Sequence, residues 1–429
     1  MSRQNVKRIV RYLGKRENAL GLDQVADPRA RRGRRWSLRA LLTATVIGMI
    51  AMERSFRGVE RLTRDLAGCR KRFGIPRRVP DSTLAHLYAR LDDEVGLRQV
   101  LVDDIKRAHR RGALEPAGLP IGVVAIDGKT IWCGRKRVDD PACQAMPQTE
   151  RAYYRLHTLH AVLVSAVSQP CIDQLLVPGE TNEMGALPDL VEQLVAAYGR
   201  TTLVEVLTMD AGMTSAENAR RITAAQLRYV MAVKESQPTL LAEAVRLCGW
   251  GEHKQVGHVC AAKTSWEPYR GTMMRRELFR SREIHAWPNW QSARQVWRVK
   301  QTTMHADGSV TVANRYFITS LPWDRLSGSE ILALVRLHWG VENGCHWTMD
   351  VVLGEDARPW CTQGRALRML SWLRLLAYNA LRLLRDRYLR SAKSRAMEWD
   401  ELRRLVQRTL YDNSAWCCDS KAEATTTTL

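Results

Sequence analysis

The stretch between residues 120 and 233 constrains the fold most, because strand-like and helical patterns alternate there in a definite order. The predicted order is strand, strand, strand, helix, strand, helix, strand. In that order the segments are residues 123–126, 157–167, 171–177, 182–198, 202–209, 215–225 and 229–233. The second and third strands are separated by a short connection, as in an antiparallel meander. Since the strands are almost wholly apolar, the pattern predicts an α/β fold in which helices cover both faces of a mixed sheet.

Two of the predicted strands end in an aspartate, Asp127 and Asp210, and each is followed by a small residue. A charged residue at the end of a buried strand is costly unless it is solvated, paired or bound to a metal ion. The ends of strands are also where ligand crevices form in open sheets. A metal-binding pair and two simple turn residues both remain open as interpretations.

A third acidic residue, Glu342, lies in an unusual segment at residues 336–350. His338, Glu342, His346 and Asp350 are spaced four residues apart, which predicts that they share one face of a helix. The residues that flank this stripe are Trp339, Asn343 and Trp347. A magnesium carboxylate, a zinc site and a hydrogen-bonded core network capped by tryptophans are the alternatives. The segment contains neither an HExxH pattern nor a closed set of four ligands, which disfavours zinc.

Two aspartates and a glutamate suit the cleavage of phosphodiester bonds. Hard carboxylates are the ligands that Mg²⁺ prefers, and Mn²⁺ accepts similar ones. Two such ions roughly 3.5–4 Å apart stabilise the attacking and leaving oxygens, while waters and the phosphate complete their coordination. Asp127, Asp210 and Glu342 are therefore the candidate catalytic and metal-binding residues.

The charge of the chain favours a polyanionic partner. It contains 66 Lys and Arg against 45 Asp and Glu, a formal net charge of +21, and each neutralised phosphate releases condensed counterions. Residues 1–112 are predicted to form a basic helical domain that binds DNA. The candidate DNA-binding residues are Arg31, Arg32, Arg34, Arg35, Arg70, Lys71 and Arg72. A solvated arginine-rich surface, or the codon bias of a GC-rich genome, would explain the same composition.

Further segments complete the predicted organisation. Residues 251–321 form a β-rich insertion with a hairpin turn at 306–309, and a long helical region runs over 329–408. Residues 391–429 form a C-terminal extension whose Thr-rich end, 421–429, is expected to be disordered.

No membrane association is expected. The apolar run at 40–52 is shorter than the roughly 20 residues that span a bilayer, and it predicts a buried helix with Ser37 as its N-cap. The ten cysteines form no CxxC pair, which indicates reduced thiols and a cytoplasmic protein.

Four stretches of the sequence, in order over about residues 25–390, carry a specific resemblance. They are Asp-Pro-Arg at 27–29 with the arginines that follow; Ala-Ile-Asp-Gly-Lys-Thr at 125–130; Thr-Met-Asp-Ala at 208–211 with Tyr-Val-Met-Ala-Val-Lys-Glu-Ser-Gln-Pro-Thr-Leu at 229–240; and His-Trp-Gly-Val-Glu-Asn at 338–343 with His-Trp-Thr-Met-Asp-Val at 346–351 and Gly-Glu-Asp at 354–356. At these residues the chain resembles the DDE-type insertion-sequence transposases of the H-repeat-associated kind.

The resemblance implies a ribonuclease-H-like core formed by residues 113–250 and 322–390, with the β-rich insertion between its second and third acids. It implies metal-dependent cleavage at the ends of a transposable element, followed by transfer of the freed 3′-hydroxyl to target DNA. Double-stranded DNA would be the partner, bound by a homodimer in the nucleoid. The further residues expected to support the site are Lys129, Lys234, His338, His346 and Asp350, and Asp350 is the first candidate for a substitute acid.

The chain departs from the pattern of the family at Trp132, Glu180, Ser236 and Met349, where relatives commonly carry Arg, Lys, Asn and, in the wider superfamily, Lys. These departures remove possible phosphate ligands but leave the three acids in place. A catalytically inactive DNA-binding remnant is therefore the alternative function, and a simple nuclease with the same core is a third.

Overall fold

A mixed sheet of eleven strands forms the centre of the molecule. The computed structural model describes residues 3–32, 34–146, 153–249, 260–355, 359–389 and 392–412. The strands are β1 (Val123–Gly134), β2 (Gln144–Met146), β3 (Tyr153–Leu163), β4 (Cys171–Leu176), β5 (Val206–Met209), β6 (Arg228–Val233), β7 (Ala262–Lys263), β8 (Glu267–Tyr269), β9 (Thr272–Ser281), β10 (Gln295–Met304) and β11 (Val310–Thr319). Their order across the sheet is β2-β3-β1-β5-β6-β11-β10-β9-β7, with β4 paired to β3 and β8 paired to β9.

Helices surround this sheet. The α-helices are α1 (Arg3–Ala19), α2 (Leu38–Ile50), α3 (Phe56–Asp65), α4 (Asp81–Tyr88), α5 (Glu94–Arg110), α6 (Glu183–Tyr198), α7 (Ala216–Ala224), α8 (Pro238–Cys248), α9 (Gly328–His338), α10 (Gly364–Leu383), α11 (Ala392–Arg395) and α12 (Trp399–Tyr411). None of the helices in the described residues combines the length and the apolar character that crossing a bilayer requires.

The predicted mixed α/β sheet is confirmed. Strand β3 is antiparallel to both β1 and β4, whereas β5 runs parallel to β1 and to β6. Parallel neighbours need a crossover connection, and α6 and α7 provide it before β5 and β6 respectively. This arrangement brings the carboxyl end of β5 beside the middle of the longer β1.

The N-terminal third is helical and packs against the C-terminal helices. Ser37 caps α2, since its Oγ accepts a hydrogen bond from the Ala40 amide at 3.1 Å, and every residue of α2 but one is buried. Helix α10 packs against α2 and α5. A buried ion pair between Arg16 and Asp104, 2.6 Å apart, joins α1 to α5. The apolar run is therefore a core helix, as expected.

The strands of the predicted insertion continue the central sheet. Strand β11 pairs antiparallel with β6, from Tyr316 opposite Val233 to Thr319 opposite Val230. The hairpin turn between β10 and β11 falls at the predicted place, and Gly308 takes the left-handed conformation there with φ of 82°. The division into 1–112, 113–250 with 322–390, 251–321 and 391–429 stays a prediction. The sheet continues without a break from β6, in the predicted core, to β11, in the predicted insertion.

The predicted helical region over 329–408 consists of several helices and helical turns, with a non-helical stretch before α10. Helix α9 ends at His338, π-helical turns follow at Val341–His346 and Thr348–Val352, and α10 starts only at Gly364. Gly354, with φ of 66°, adopts a left-handed conformation that stops the helical path. The expected disorder at 421–429 and the acidic residue at 356 lie outside the described residues.

Candidate metal centre

Asp127 lies inside a strand and not at its end, so the strand-end prediction is wrong for this residue. Strand β1 continues to Gly134, and Asp127 is the cross-strand partner of His160 on β3. On the other side, the parallel pairing with β5 covers only residues 123–125, from Val123 opposite Val206 onward. Continuing that register by two residues puts Asp127 beside Asp210. The register thus brings Asp127 and Asp210 next to each other, although β1 continues past the end of β5.

Asp210 follows β5 directly, as predicted. Its Oδ1 accepts a hydrogen bond from the Gly212 amide at 2.9 Å and so caps a short 3₁₀ turn at Ala211–Met213. The Thr214 hydroxyl bridges the carbonyl oxygens of Asp210 and Ala232, at 3.1 and 2.7 Å. These contacts hold the second aspartate at the end of the parallel strands.

Glu342 lies in a π-helical turn. Helix α9 begins with a capping box formed by Ser327 and Glu330, and it gives way at Val341 to hydrogen bonds of the i→i+5 type. The predicted regular spacing of four residues on one α-helical face is therefore wrong. The side chains at 338, 346 and 350 nonetheless all contact the sheet, and Glu342 is exposed at its edge.

Asp127, Asp210 and Glu342 lie close to one another, and we call them the carboxylate cluster. Burial, together with the negative charges of Glu342, Glu183 and Asp210, raises the pKa of Asp127 to about 7. Burial and the charge of Asp210 likewise raise the pKa of Glu342, although the nearby Lys234 ammonium opposes the shift. A set of hard oxygen ligands that repel one another is well suited to a divalent cation.

Two further residues near Asp127, His157 and Glu183, were not predicted from the sequence. His157 on β3 has its Nε2 2.6 Å from Glu183 Oε1, and its Nδ1 lies 3.2 Å from the Thr130 hydroxyl. The hydrogen bond from His157 lowers the pKa of Glu183. A signal was present, because Asn182 caps α6 and places Glu183 in its first turn, directly after the third strand of the meander.

Gly128 makes this approach possible. A Cβ at residue 128 would lie 2.0 Å from Glu183 Oε1 and 2.6 Å from His157 Nε2. Only a residue without a side chain allows the Glu183–His157 pair to lie so close to the strand that carries Asp127.

Lys129 and Asp350 form an ion pair next to the site. The buried Lys129 Nζ lies 2.5 Å from Asp350 Oδ1 and 3.8 Å from Glu355 Oε2, and Glu355 is in turn 3.5 Å from Arg374. We call these four residues the Lys129 cluster. Because Lys129 already neutralises Asp350, the structure disfavours Asp350 as a substitute metal ligand.

The two histidines of the predicted stripe contact the sheet as neutral rings. His338 Nδ1 lies 3.0 Å from the Thr208 hydroxyl, and burial and Lys234 lower its pKa to about 4. His346 Nδ1 lies 3.5 Å from Asp127 Oδ2, and burial, with the charge of Lys129, lowers its pKa to about 3. Both histidines therefore support the walls of the site without adding charge.

The tryptophans of this segment do not cap a core network. Trp339 and Trp347 are 39% and 45% exposed, which contradicts that alternative for the segment. Trp132 and Met349, by contrast, are buried in the core, so these two departures from the pattern of the family are packing residues.

The two predicted basic clusters lie near each other. Arg31, Arg32, Arg34 and Arg35 are exposed in the segment before α2, and Arg70, Lys71 and Arg72 lie in a 3₁₀ segment at Ala67–Phe73 with at least partial exposure. Arg77 connects the two regions, because its guanidinium stacks 4.5 Å above Trp36 and donates to the Arg35 carbonyl oxygen at 3.5 Å.

Known proteins resemble the chain across most of this fold. Residues 118–380 match a family model described as the transposase DDE domain. YncI of Escherichia coli O157:H7, named a candidate transposase, is 23% identical over 374 residues, which are 81% of this chain and 82% of YncI. YhhI of Escherichia coli K12, named an H repeat-associated candidate transposase, is 25% identical over 272 residues, 60% of this chain and 64% of YhhI. The K12 protein YbfL is similar to the same extent.

Proposed function

This chain belongs to the family of proteins with a transposase DDE domain, and on that basis we propose that it cuts and joins DNA. The proposed catalytic residues are Asp127, Asp210 and Glu342. The resemblance to DDE transposases of the H-repeat-associated kind is confirmed, as is the mixed α/β fold that suits a ribonuclease-H-like core. Proteins of this family act on DNA and generally use divalent metal ions. The finer assignments below are our proposals.

The observation that carries the proposal is the convergence of the three carboxylates. They come from β1, from the end of β5 and from the π-helical turn, and burial together with neighbouring carboxylate charges raises the pKa values of Asp127 and Glu342. We propose that they hold two Mg²⁺ ions, or Mn²⁺ in their place. When bound, such ions stabilise the attacking and leaving oxygens of an in-line displacement at phosphorus.

The residues around the cluster have supporting roles in this proposal. His346 packs against Asp127 at 3.5 Å and restricts its rotation. The Glu183–His157 pair adds negative charge beside Asp127, while the exposed Lys234 supplies a cation for a phosphate close to Glu342. The basic clusters around Arg31–Arg35 and Arg70–Arg72 would bind the DNA backbone by phosphate contacts, which set the register of docking.

The proposed reaction has two displacements. Water first attacks the phosphorus at the end of the element, the P–O3′ bond breaks, and a 3′-hydroxyl is released on the element. That hydroxyl then attacks a phosphorus of the target DNA and displaces a target 3′-hydroxyl, so the number of phosphodiester bonds is conserved in the second step. The substrates are double-stranded element ends and target DNA, and a homodimer in the nucleoid would hold two ends together.

The test uses the purified full chain with Mg²⁺ and DNA that carries the element ends. We expect a loss of cleavage of at least about a hundredfold in each of Asp127→Asn, Asp210→Asn and Glu342→Gln. Each change removes one charged ligand of the metal ions that would act on the reacting phosphate. Glu401→Gln, an exposed acid on α12, is the matched control and should cleave normally. Far-ultraviolet circular dichroism should show all four variants folded.

Two results would change the proposal. Salt-sensitive binding of end DNA without any cleavage by the unmodified chain would favour the inactive DNA-binding remnant. Cleavage that is indifferent to the element ends and to the basic clusters would favour the simple nuclease.

A further inference from the structure

A second group of metal-binding side chains lies beneath the carboxylate cluster. One ligand atom each from His160, Cys171 and Cys345 lies within 4.8 Å of the others, and all three residues are buried. They come from three elements, since His160 is on β3, Cys171 begins β4 and Cys345 lies in the π-helical turn. We call them the thiol–imidazole cluster.

His160 supplies a second, independent indication of a ligand. It is 1% exposed, and within the described chain neither of its ring nitrogens has a hydrogen-bond partner. Its cross-strand neighbour Gln174 is close to the ring but does not reach hydrogen-bond geometry. A buried polar group without a partner costs roughly 1–3 kcal/mol, and coordination of a cation by an imidazole nitrogen would remove that cost.

The two thiols are buried next to each other. Cys171 Sγ donates a hydrogen bond to the Asp173 carbonyl oxygen at 3.3 Å, and Cys345 lies beside both Cys171 and the Tyr378 hydroxyl. Buried cysteines often act only as small apolar side chains. Here, however, they converge with an imidazole that has no partner, and this combination is the one that soft metal ions select.

We propose that His160, Cys171 and Cys345 bind one zinc ion, separate from the ions at the carboxylate cluster. Tetrahedral zinc, with Zn–S bonds of about 2.3 Å and Zn–N bonds of about 2.0–2.1 Å, places its ligand atoms roughly 3.5–3.8 Å apart. The observed atoms, all within 4.8 Å, need to approach by at most about 1.3 Å. Binding releases the two thiol protons, because zinc is coordinated by thiolates.

His346 lies beside these three residues but outside the group whose ligand atoms converge within 4.8 Å, so its ring would have to move to become a fourth ligand. Its Nε2 is buried and has no hydrogen-bond partner within the described chain, and its ring centroid is 5.2 Å from that of His160. The opposite nitrogen, Nδ1, faces Asp127. A carboxylate on one ring nitrogen and a metal on the other is a common pairing at zinc sites.

The position of the cluster indicates its purpose. Cys345 is three residues from Glu342 along the π-helical turn, and His160 is the cross-strand partner of Asp127. A zinc ion would therefore fix the segment with Glu342 to the strands beside Asp127. This role goes beyond the proposed DNA chemistry and can be tested without DNA.

The test measures metal content and cobalt spectra of the full chain, reconstituted under reducing conditions in the Asp127→Asn, Glu342→Gln background. That background weakens the carboxylate cluster as a competing site. We expect one zinc per chain, and with Co²⁺ a near-ultraviolet charge-transfer band that only thiolate ligands produce. Cys171→Ser and Cys345→Ser should each lose the band and most of the zinc.

Cys143→Ser is the matched control, because Cys143 is also a buried thiol but lies outside the cluster. It should keep the zinc and the band. Zinc content unaffected by Cys171→Ser and Cys345→Ser, a cobalt spectrum without the thiolate band, or a Cys171–Cys345 disulfide in place of metal would each overturn the proposal. The spectrum is recorded on a chain with all three ligands intact, so the result holds even if the cysteine variants fail to fold.

Discussion

Asp127 and Lys129 lie two residues apart on β1, and each belongs to a group of charged side chains. The two groups differ in whether their charges are neutralised within the chain. Asp127 is buried beside other carboxylates, and burial together with their charges raises its pKa to about 7. Lys129 contacts two acids, Asp350 at 2.5 Å and Glu355 at 3.8 Å. The Lys129 cluster is neutralised within the chain, so it stabilises the fold, whereas the carboxylate cluster keeps a negative charge that protons or cations must neutralise. The contrast identifies which acids are available for chemistry.

The largest effect expected is on stability, from Lys129→Ala. The change leaves Asp350 and the buried Glu355 without the ammonium, and removal of one partner from a buried ion pair costs about 3–5 kcal/mol. Denaturant unfolding measures it. Lys263→Ala removes a half-exposed lysine from Glu277, which keeps Arg275 and Lys300 beside it. It is the control and should change the free energy of unfolding by less than about 1 kcal/mol. Equal losses in the two variants would contradict the contrast.

The second prediction concerns the pH dependence of the carboxylate cluster. Folded Asp127, with a pKa of about 7, binds its proton more tightly than an unfolded aspartate with a pKa of about 3.9. The metal-free chain should therefore lose stability from this group as the pH rises from about 4 to about 7. Protons compete with Mg²⁺, so the affinity for Mg²⁺ should fall about tenfold per pH unit below 7.

Thermal unfolding with and without Mg²⁺, between about pH 5 and pH 8, measures both trends. Asp127→Asn should flatten the pH dependence and remove most of the stabilisation by Mg²⁺. Stabilisation by Mg²⁺ that is as large at pH 5 as at pH 8 would mean that Asp127 is not a ligand.

The third prediction concerns Gly128, which separates the two groups on β1. Gly128→Ala should displace Glu183 and His157, because its Cβ would lie 2.0 Å from Glu183 Oε1, and overpacking of this kind costs about 1–3 kcal/mol. Chemical denaturation gives the cost. Adding Glu183→Ala to Gly128→Ala should recover part of the loss. If the double variant is no more stable than Gly128→Ala, the close approach of Glu183 is not the reason for the glycine.

The smallest effect is expected from Lys234→Gln. The Lys234 ammonium opposes the rise in the pKa of Glu342, so its removal should raise the titration midpoint of Glu342 further. The increase should be less than about one pH unit, because the lysine is exposed and its charge is screened by solvent. A carbon-13 NMR titration of labelled glutamates measures the shift. Lys263→Gln should leave the midpoint unchanged, and a downward shift in Lys234→Gln would refute the assigned contact.

The sequence predicted the parts of the fold that depend on periodicity and local chemistry. The order of strands and helices, the Ser37 cap and the hairpin turn before Val310 follow from patterns that short segments carry themselves. The proximity of Asp127 and Asp210 was also expected, although β1 continues beyond Asp127 because β3 pairs with it over its whole length.

Other features could not be predicted because they depend on contacts between distant segments. The π-helical turn at Glu342 contacts β1 and β3, which are distant in the sequence, and the spacing of residues in the sequence is compatible with an ordinary α-helix. The Glu183–His157 pair needs Gly128 from a third segment. The convergence of His160, Cys171 and Cys345 joins residues that are far apart along the chain.

The pairing of β11 with β6 has a mechanical consequence. Strand β11 has ten residues, which span about 33 Å, and its last four are hydrogen-bonded to the strand next to β5 and Asp210. A force applied at the tip of the β10–β11 hairpin would be transmitted along β11 to β6. A hinge motion of the insertion at this strand would require the backbone hydrogen bonds between β11 and β6 to break. The pairing with β6 therefore opposes a hinge motion of the insertion at the base of β11.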